Sequence, residues 1–184
     1  MSILPPIPPE QRDAAQRAVA ERIAGGPRGV VRGPFLALLH NPALADRVQA
    51  LGAHLRFGTG LPQRLVELVI LVTARRWNCQ YEWAAHLRIA RQEGLAEPII
   101  AAVAENIRPA TMTGDEALVH DLAIAVHLHG APGSVLAEAA VGRFGRAGLL
   151  DLLALCGYYS LLAMVLNTAE PPLPADAAPD ARLG

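Results

Sequence analysis

A thiol, a carboxylate and an imidazole crowd into the segment Trp77-Asn78-Cys79-Gln80-Tyr81-Glu82-Trp83-Ala84-Ala85-His86. On a helix, Cys79, Glu82 and His86 stand at i, i+3 and i+7, which is a single face. A thiol in the opening turn feels the partial positive charge of free backbone N–H groups, and this lowers its pKa. The plainer reading of Cys79 is a small buried hydrophobe. Glu82 and His86, one turn apart, can hydrogen-bond across the helix surface. Such a bond holds one imidazole tautomer ready for proton transfer near neutral pH. The plainer reading of this pair is a solvated surface contact worth about 0.3–0.5 kcal/mol. The aromatic neighbours Tyr81 and Trp83 are the candidate substrate-binding walls, and they make a wholly wet face less natural.

A second acid, Glu67, lies upstream among Val66, Leu68, Val69, Ile70, Leu71 and Val72. A carboxylate in such a run must be hydrogen-bonded, paired or protonated. Arg64, Arg75 and Arg76 are candidate structural partners. A carboxyl held with a raised pKa would instead relay a proton to His86 or Cys79. The candidate catalytic set is therefore His86, Glu82, Cys79 and Glu67.

His120, His127 and His129 raise the question of a metal shared with Glu82 and His86. Di-iron helical bundles place Glu and His at i, i+3, whereas Glu82 and His86 are at i, i+4 and no second pair exists, so no metal site is expected. His54, near a helix end, suits the dipole there. The sequence holds no phosphate-cradling glycine loop, serine nucleophile elbow or dinucleotide fingerprint, and no cofactor is expected.

The elements that must position these groups read as helices throughout. A Pro-rich arm over residues 1–9 precedes a helix expected over 10–24, closed by Gly25-Gly26-Pro27. Phe35–His40 is a short apolar piece. Asn41 as N-cap and Pro42 at the first helical position open a helix to about residue 56. Pro62 starts another, to about 76, in which Leu65, Leu68, Val69 and Val72 recur at helical spacing. Asn78 is the expected N-cap of a helix over 79–93, followed by one over 96–106. Thr113-Gly114-Asp115-Glu116 has the capping-box pattern for a helix to about His129. Two more are expected over 132–144 and 147–167. Leu65–Val69 and Leu149–Leu153 each set one acid in an apolar helix opening, a weak internal echo. The organisation expected is an N-terminal arm and helix over 1–34, one all-α domain over 35–168, and a disordered Pro/Ala/Asp-rich tail over 169–184.

Of the 184 residues, 52% are apolar and 4% aromatic, and the formal charge is −1. A near-neutral chain without a basic stripe points away from nucleic acid and from anionic membranes. The N-terminal residues lack the pattern of a secretory leader, and two cysteines make no disulfide framework, so a cytoplasmic setting is expected. Leu149–Leu166 reaches the lower length limit for a membrane span, but Gly157, Tyr158, Tyr159 and Ser160 within it favour a core helix. Nearly uniform apolar helices with little aromatic filler leave surface to hide, which predicts a homo-oligomer.

The string Glu67-(x11)-Cys79-x-Tyr81-Glu82-Trp83-x-x-His86, with the later Gly157-Tyr158-Tyr159-Ser160-Leu161-Leu162 stretch, resembles the carboxymuconolactone decarboxylase / alkylhydroperoxidase D-like family over about residues 35–167. The resemblance implies an AhpD-like helical bundle assembling into trimers or hexamers. It also implies that the peroxidase branch uses Glu, Cys, Cys and His at the positions of Glu67, Cys79, Glu82 and His86. Here Glu82 stands where that branch has its second cysteine, so the disulfide-forming pair is missing. Cys156 would have to serve as the resolving thiol. The decarboxylase branch works by acid–base chemistry without a cofactor, which suits this set better. The leading expectation is thus a cofactor-independent acid/base enzyme acting on a small lactone or keto acid. His86 would be its acid/base, Glu82 the group orienting His86, Glu67 a proton relay, and Cys79 a polar wall or nucleophile. A thiol peroxidase, peroxiredoxin-like and using Cys79, is the second expectation. A non-catalytic oligomeric binding protein is the third.

Overall fold

The computed structural model describes residues 2–178 and 180–183, and among them every regular element is helical. A single 3-10 turn, Pro9–Gln11, precedes eight α-helices: α1 (Ala14–Gly25), α2 (Pro34–Leu38), α3 (Pro42–Phe57), α4 (Gln63–Arg76), α5 (Gln80–Gln92), α6 (Glu97–Ala104), α7 (Gly114–His129) and α8 (Gly133–Ala169). The all-α architecture matches the expectation.

Helix α4 is the axis of the fold. Every residue from Leu65 to Ala74 is buried, and α5, α6, α7 and α8 surround it. That is why its apolar residues occupy all sides of the helix rather than one stripe. α8 follows one hydrogen-bonded course but breaks at Gly145, whose φ of 73° and ψ of 174° are non-helical. The two helices expected over 132–144 and 147–167 are its two arms. The second arm is long and apolar enough to cross a membrane by length and composition. It instead lays Leu152, Leu155, Tyr159, Leu162 and Leu166 into the core. The echo with α4 ends at the acids: Glu67 is fully buried, whereas Asp151 meets His54 at 3.2 Å on the surface.

Capping sets the helix boundaries. Asn41 accepts from Leu44 N–H, and Thr113 and Glu116 form the reciprocal box, both as expected. The first helix starts later than expected because Asp13 and Gln16 form a capping box of their own. Asn78 is not the N-cap of α5. It adopts φ 47°, a left-handed conformation that asparagine tolerates, and ends α4 with Asn78 N–H donating to Arg75 O and Cys79 N–H to Ala74 O. The N-cap is therefore Cys79.

The chain ends join the same body. Ser2 donates to Ala169 O at 2.5 Å, and α1 packs on α3. The tail, expected to be disordered, lies against α5: Arg91 grips Asp180, Gln80 bonds Ala181 O and Leu183 N–H, and Ala181 is buried. These polar ties supply what the tail's composition lacks in apolar surface.

Gly52, inside α3, has the reverse of its usual helical effect. A glycine there costs about 0.5–1 kcal/mol relative to alanine. Yet a Cβ at this position would stand 1.9 Å from the Tyr158 hydroxyl and 2.3 Å from an Arg28 guanidinium nitrogen. Gly52→Ala should thus destabilise the protein, by about 1–3 kcal/mol, measured as a lowered midpoint in urea unfolding. An unchanged or raised midpoint would mean that α3 and α8 do not pack as described.

Candidate active site

The buried carboxylate on α4 meets the imidazole on α5. Glu67 Oε2 lies 2.7 Å from His86 Nδ1, and Gln63, one turn before it, donates to Glu67 Oε1 at 3.0 Å. None of the expected arginine partners takes Glu67. Arg64 instead pairs with Glu116 at 3.2 Å, and Arg75 donates to Ala104 O. On the other ring nitrogen, His86 Nε2 stands 3.3 Å from Glu82 Oε2, the contact the i, i+4 spacing predicts. Both ring nitrogens are therefore offered carboxylate oxygens, and Tyr159 closes the ring's edge at 5.2 Å between centroids.

This environment settles the charge of His86. Burial favours the neutral ring, but the Glu67 charge and hydrogen bond, followed by those of Glu82, outweigh it and push the pKa up to about 9. The imidazolium is the resting form at neutral pH, donating from Nδ1 to Glu67 and from Nε2 toward Glu82. Glu67 is fully buried, whereas Glu82 and His86 line a cleft. Glu67 thus occupies the orienting position that the sequence reading gave to Glu82. Glu82 stands on the open side of the pair.

Cys79 is not a partner of this unit. It sits at the N-cap of α5, seven residues or about 10 Å of helix rise from His86. Its side chain is fully buried with Ala163, Leu166 and Tyr81, and it does not line the cleft. Burial is the largest influence on its pKa and raises it. The Glu82 amide lowers it, the Glu82 carboxylate raises it again, and the result is about 11. The expected lowering by the helix terminus is overridden by desolvation. Cys156 lies in the other apolar cluster, its pKa pushed up to about 12 by burial, and both cysteines are free. The resolving role considered for Cys156 has no support in this placement.

Tyr81 lines the cleft, its ring against Gly33, where a Cβ would come within 2.9 Å of it. Trp83 does not line it. One residue beyond Glu82, it turns by about 100° into the main core and is 2% exposed. The other histidines stand elsewhere: His120 on Asp121, His127 on Thr73, and His54 on Asp151.

The cleft is open on one side and offers a volume of about 70 Å³, room for a few waters or a compact molecule. Its walls come from α5 (Tyr81, Glu82, His86, Ile89), from α8 (Tyr159, Leu162), from the segment 28–35, and from Pro174 and Asp176 of the tail. The three units into which the sequence reading divided the chain therefore share one cleft. Three arginines at its wall, Arg28, Arg32 and Arg56, were not singled out from sequence. Arg28 and Arg32 sit in a Gly/Pro/Val segment and Arg56 between Leu55 and Phe57, surroundings that mark no site, and only the fold gathers them.

Residues 42–126, which hold Glu67, Cys79, Glu82 and His86, match the model of the carboxymuconolactone decarboxylase family. The match spans a little under half of the chain. No curated protein sequence matches the chain. Among solved structures it is similar to an AhpD-core, uncharacterised peroxidase-related protein from Ralstonia eutropha JMP134, with a TM-score of 0.77, 22% identity, and 95% of this chain and 93% of that one covered. It is also similar to a peroxidase-related protein from Silicibacter sp. TM1040, with a TM-score of 0.77 at 18% identity, covering 98% of this chain and 94% of that one. The debrominase Bmp8 shares the fold too, with a TM-score of 0.69 at 14% identity over 95% and 94% of the two chains. What these three share with this chain is the AhpD-like fold.

The charge of His86 has a consequence for stability. Its folded pKa, about 9, lies above the ordinary 6.5, so its contribution is complete below about 6.5 and is lost as pH rises through about 9. The urea midpoint should fall from pH 6.5 to 9.5, and fall less in His86→Gln. Equal losses in the two proteins would show that His86 does not carry this linkage.

Proposed function

We propose that this protein is a cofactor-independent acid/base enzyme acting on a small oxygenated substrate, a lactone or a keto acid. The observation that carries the reading is the Glu67–His86–Glu82 unit, in which a buried carboxylate orients an imidazolium beside a second carboxylate at a cleft. Glu82 takes a proton from the substrate, and His86 Nε2 donates one to the oxygen where negative charge develops. Glu67 keeps Nδ1–H engaged, so that it is Nε2 that exchanges its proton. These steps suit isomerisation of a lactone, where the proton that Glu82 takes leaves an enolate. In decarboxylation of a β-keto acid the C–C bonding pair passes to the carbonyl as CO2 leaves, no proton is taken, and His86 Nε2 protonates the enolate oxygen to give the enol. Tyr81 and Asp176 line the same cleft as Glu82 and His86.

The thiol-peroxidase alternative draws on the likeness to peroxidase-related proteins. A buried thiol with a pKa near 11, away from the cleft, works against it. Exposed Leu44, Leu51 and Phe57 on α3, with Leu150 and Met164 on α8, favour assembly of several copies. Light scattering at low micromolar concentration should then give a mass above that of one chain, and the mass of a single chain would overturn that part.

Turnover of lactones and keto acids tests the reaction. His86→Ala should lower kcat by about 10²–10⁴-fold, Glu82→Gln should lower it comparably, and Cys79→Ser should leave much of it in place. A fall of less than threefold for His86→Ala would remove the acid/base role. Brief exposure to low hydrogen peroxide should leave Cys79 unmodified by intact mass. Rapid oxidation, lost in Cys79→Ser, would favour the peroxidase.

A further inference from the structure

The cleft carries positive charge that the acid–base unit does not use. Arg22, Arg64, Arg88, Arg91, Arg108 and Arg143 each pair with a carboxylate, and Arg32 faces Asp176 across 4.0 Å. Arg28 and Arg56, like seven other arginines, have no such partner among the described residues. What sets these two apart is that the Nε of each is shielded from solvent with no hydrogen-bond acceptor among the described residues.

The Arg28 guanidinium lies over the Phe35 ring at 4.7 Å and that of Arg56 over Phe57 at 4.9 Å. Stacking of this kind satisfies the guanidinium face and leaves the in-plane N–H donors free. Among the described residues the one polar contact to either group is Arg28 Nη2 donating to the Tyr158 hydroxyl at 3.2 Å. That phenol stays neutral, its pKa pushed up to about 12 by burial, and so it does not balance the charge. Buried donors without acceptors are uncommon in native proteins and call for a partner from outside the chain, a water or an anion.

A line of contacts links these donors to the acid–base unit. Arg28 touches Tyr158, Tyr158 packs edge-on against Tyr159 at 5.3 Å, and Tyr159 packs edge-on against His86 at 5.2 Å. Two aromatic rings thus separate the cationic end of the cleft from the proton-transfer end.

We infer that Arg28 and Arg56 are the anion-recognition end of the cleft, and that its ligand is a compact organic acid. A short spacer in that acid separates its carboxylate, held by the guanidinium groups, from a carbonyl presented to Glu82 and His86. The inference rests on the acid/base reading for the second half of that statement and on the arginines alone for the first. A guanidinium fork accepts a carboxylate in bidentate fashion, and a neutral ester or amide gives it much less. Acetate has the carboxylate but no second carbonyl to present to Glu82 and His86.

Isothermal titration of the full chain with levulinate (4-oxopentanoate) and with its methyl ester, at low chloride, tests this. Levulinate should bind at least tenfold more tightly than the ester and than acetate. Arg56→Gln should weaken levulinate at least tenfold. Arg28→Gln should do the same, with Arg28→Lys and the helical circular dichroism of each variant separating lost recognition from lost folding. Arg146→Gln, which changes an exposed arginine outside the cleft, should bind levulinate within threefold of the parent. Levulinate binding that is weakened in Arg28→Gln and Arg56→Gln but not in Arg146→Gln, with no lactone or keto acid turned over by the parent, would support the anion site while retiring the acid/base reading. Turnover of such substrates unchanged in both Arg56→Gln and Arg28→Gln would overturn the anion site and leave that reading standing. Ester bound as tightly as acid, or no binding of levulinate, would also overturn it.

Discussion

One buried hydrogen bond, Glu67 to His86, constrains the rest of this molecule. A carboxylate in the middle of a helix packed on every side is strongly unfavourable unless a partner reaches it. The partner comes from the next helix in sequence, so α4 and α5 have to meet in the one register that brings position 86 opposite position 67. The left-handed turn at Asn78 makes that possible by ending α4 abruptly and starting α5 after a single residue. With α5 fixed in this way, Glu82 and Tyr81 come to the cleft and Trp83 goes to the core.

The same geometry separates two chemistries that look equivalent on paper. Cys79, Glu82 and His86 share a helix face, but a helix face is long. Its start lies under α8, dry and apolar, and its middle lies beside the cleft. At the start, a thiol is desolvated until the thiolate is strongly disfavoured. At the middle, an imidazole with carboxylates on both sides is held charged. Burial acts on both groups toward the neutral form, and only the histidine has neighbours that outweigh it.

Much of the helical frame was legible from punctuation: Asn41-Pro42, the Thr113–Glu116 box, and the glycines and prolines between apolar runs. The meeting of Glu82 with His86 was legible too, since one helix turn decides it. What stayed out of reach was whatever depends on contacts between distant segments. Glu67 could be seen to need a partner, yet the partner lay on another helix while three arginines lay nearer in sequence. Arg28 and Arg56 could not be told from the chain's other arginines, because the burial of their Nε groups without an acceptor is a property of packing. The tail read as disordered for want of apolar residues, and a few ion pairs and backbone bonds to α5 hold it instead.

The cleft is sewn from pieces with different histories in the chain. Its proton-handling side chains lie inside residues 42–126, the portion that carries the family pattern, while residues 28–35 and 174–176 lie outside it. Mutations in those outer pieces can reshape or recharge the opening without disturbing the bond between α4 and α5. Such a division means that the opening of the cleft can change while the carboxylate–imidazole contact at its centre stays as it is.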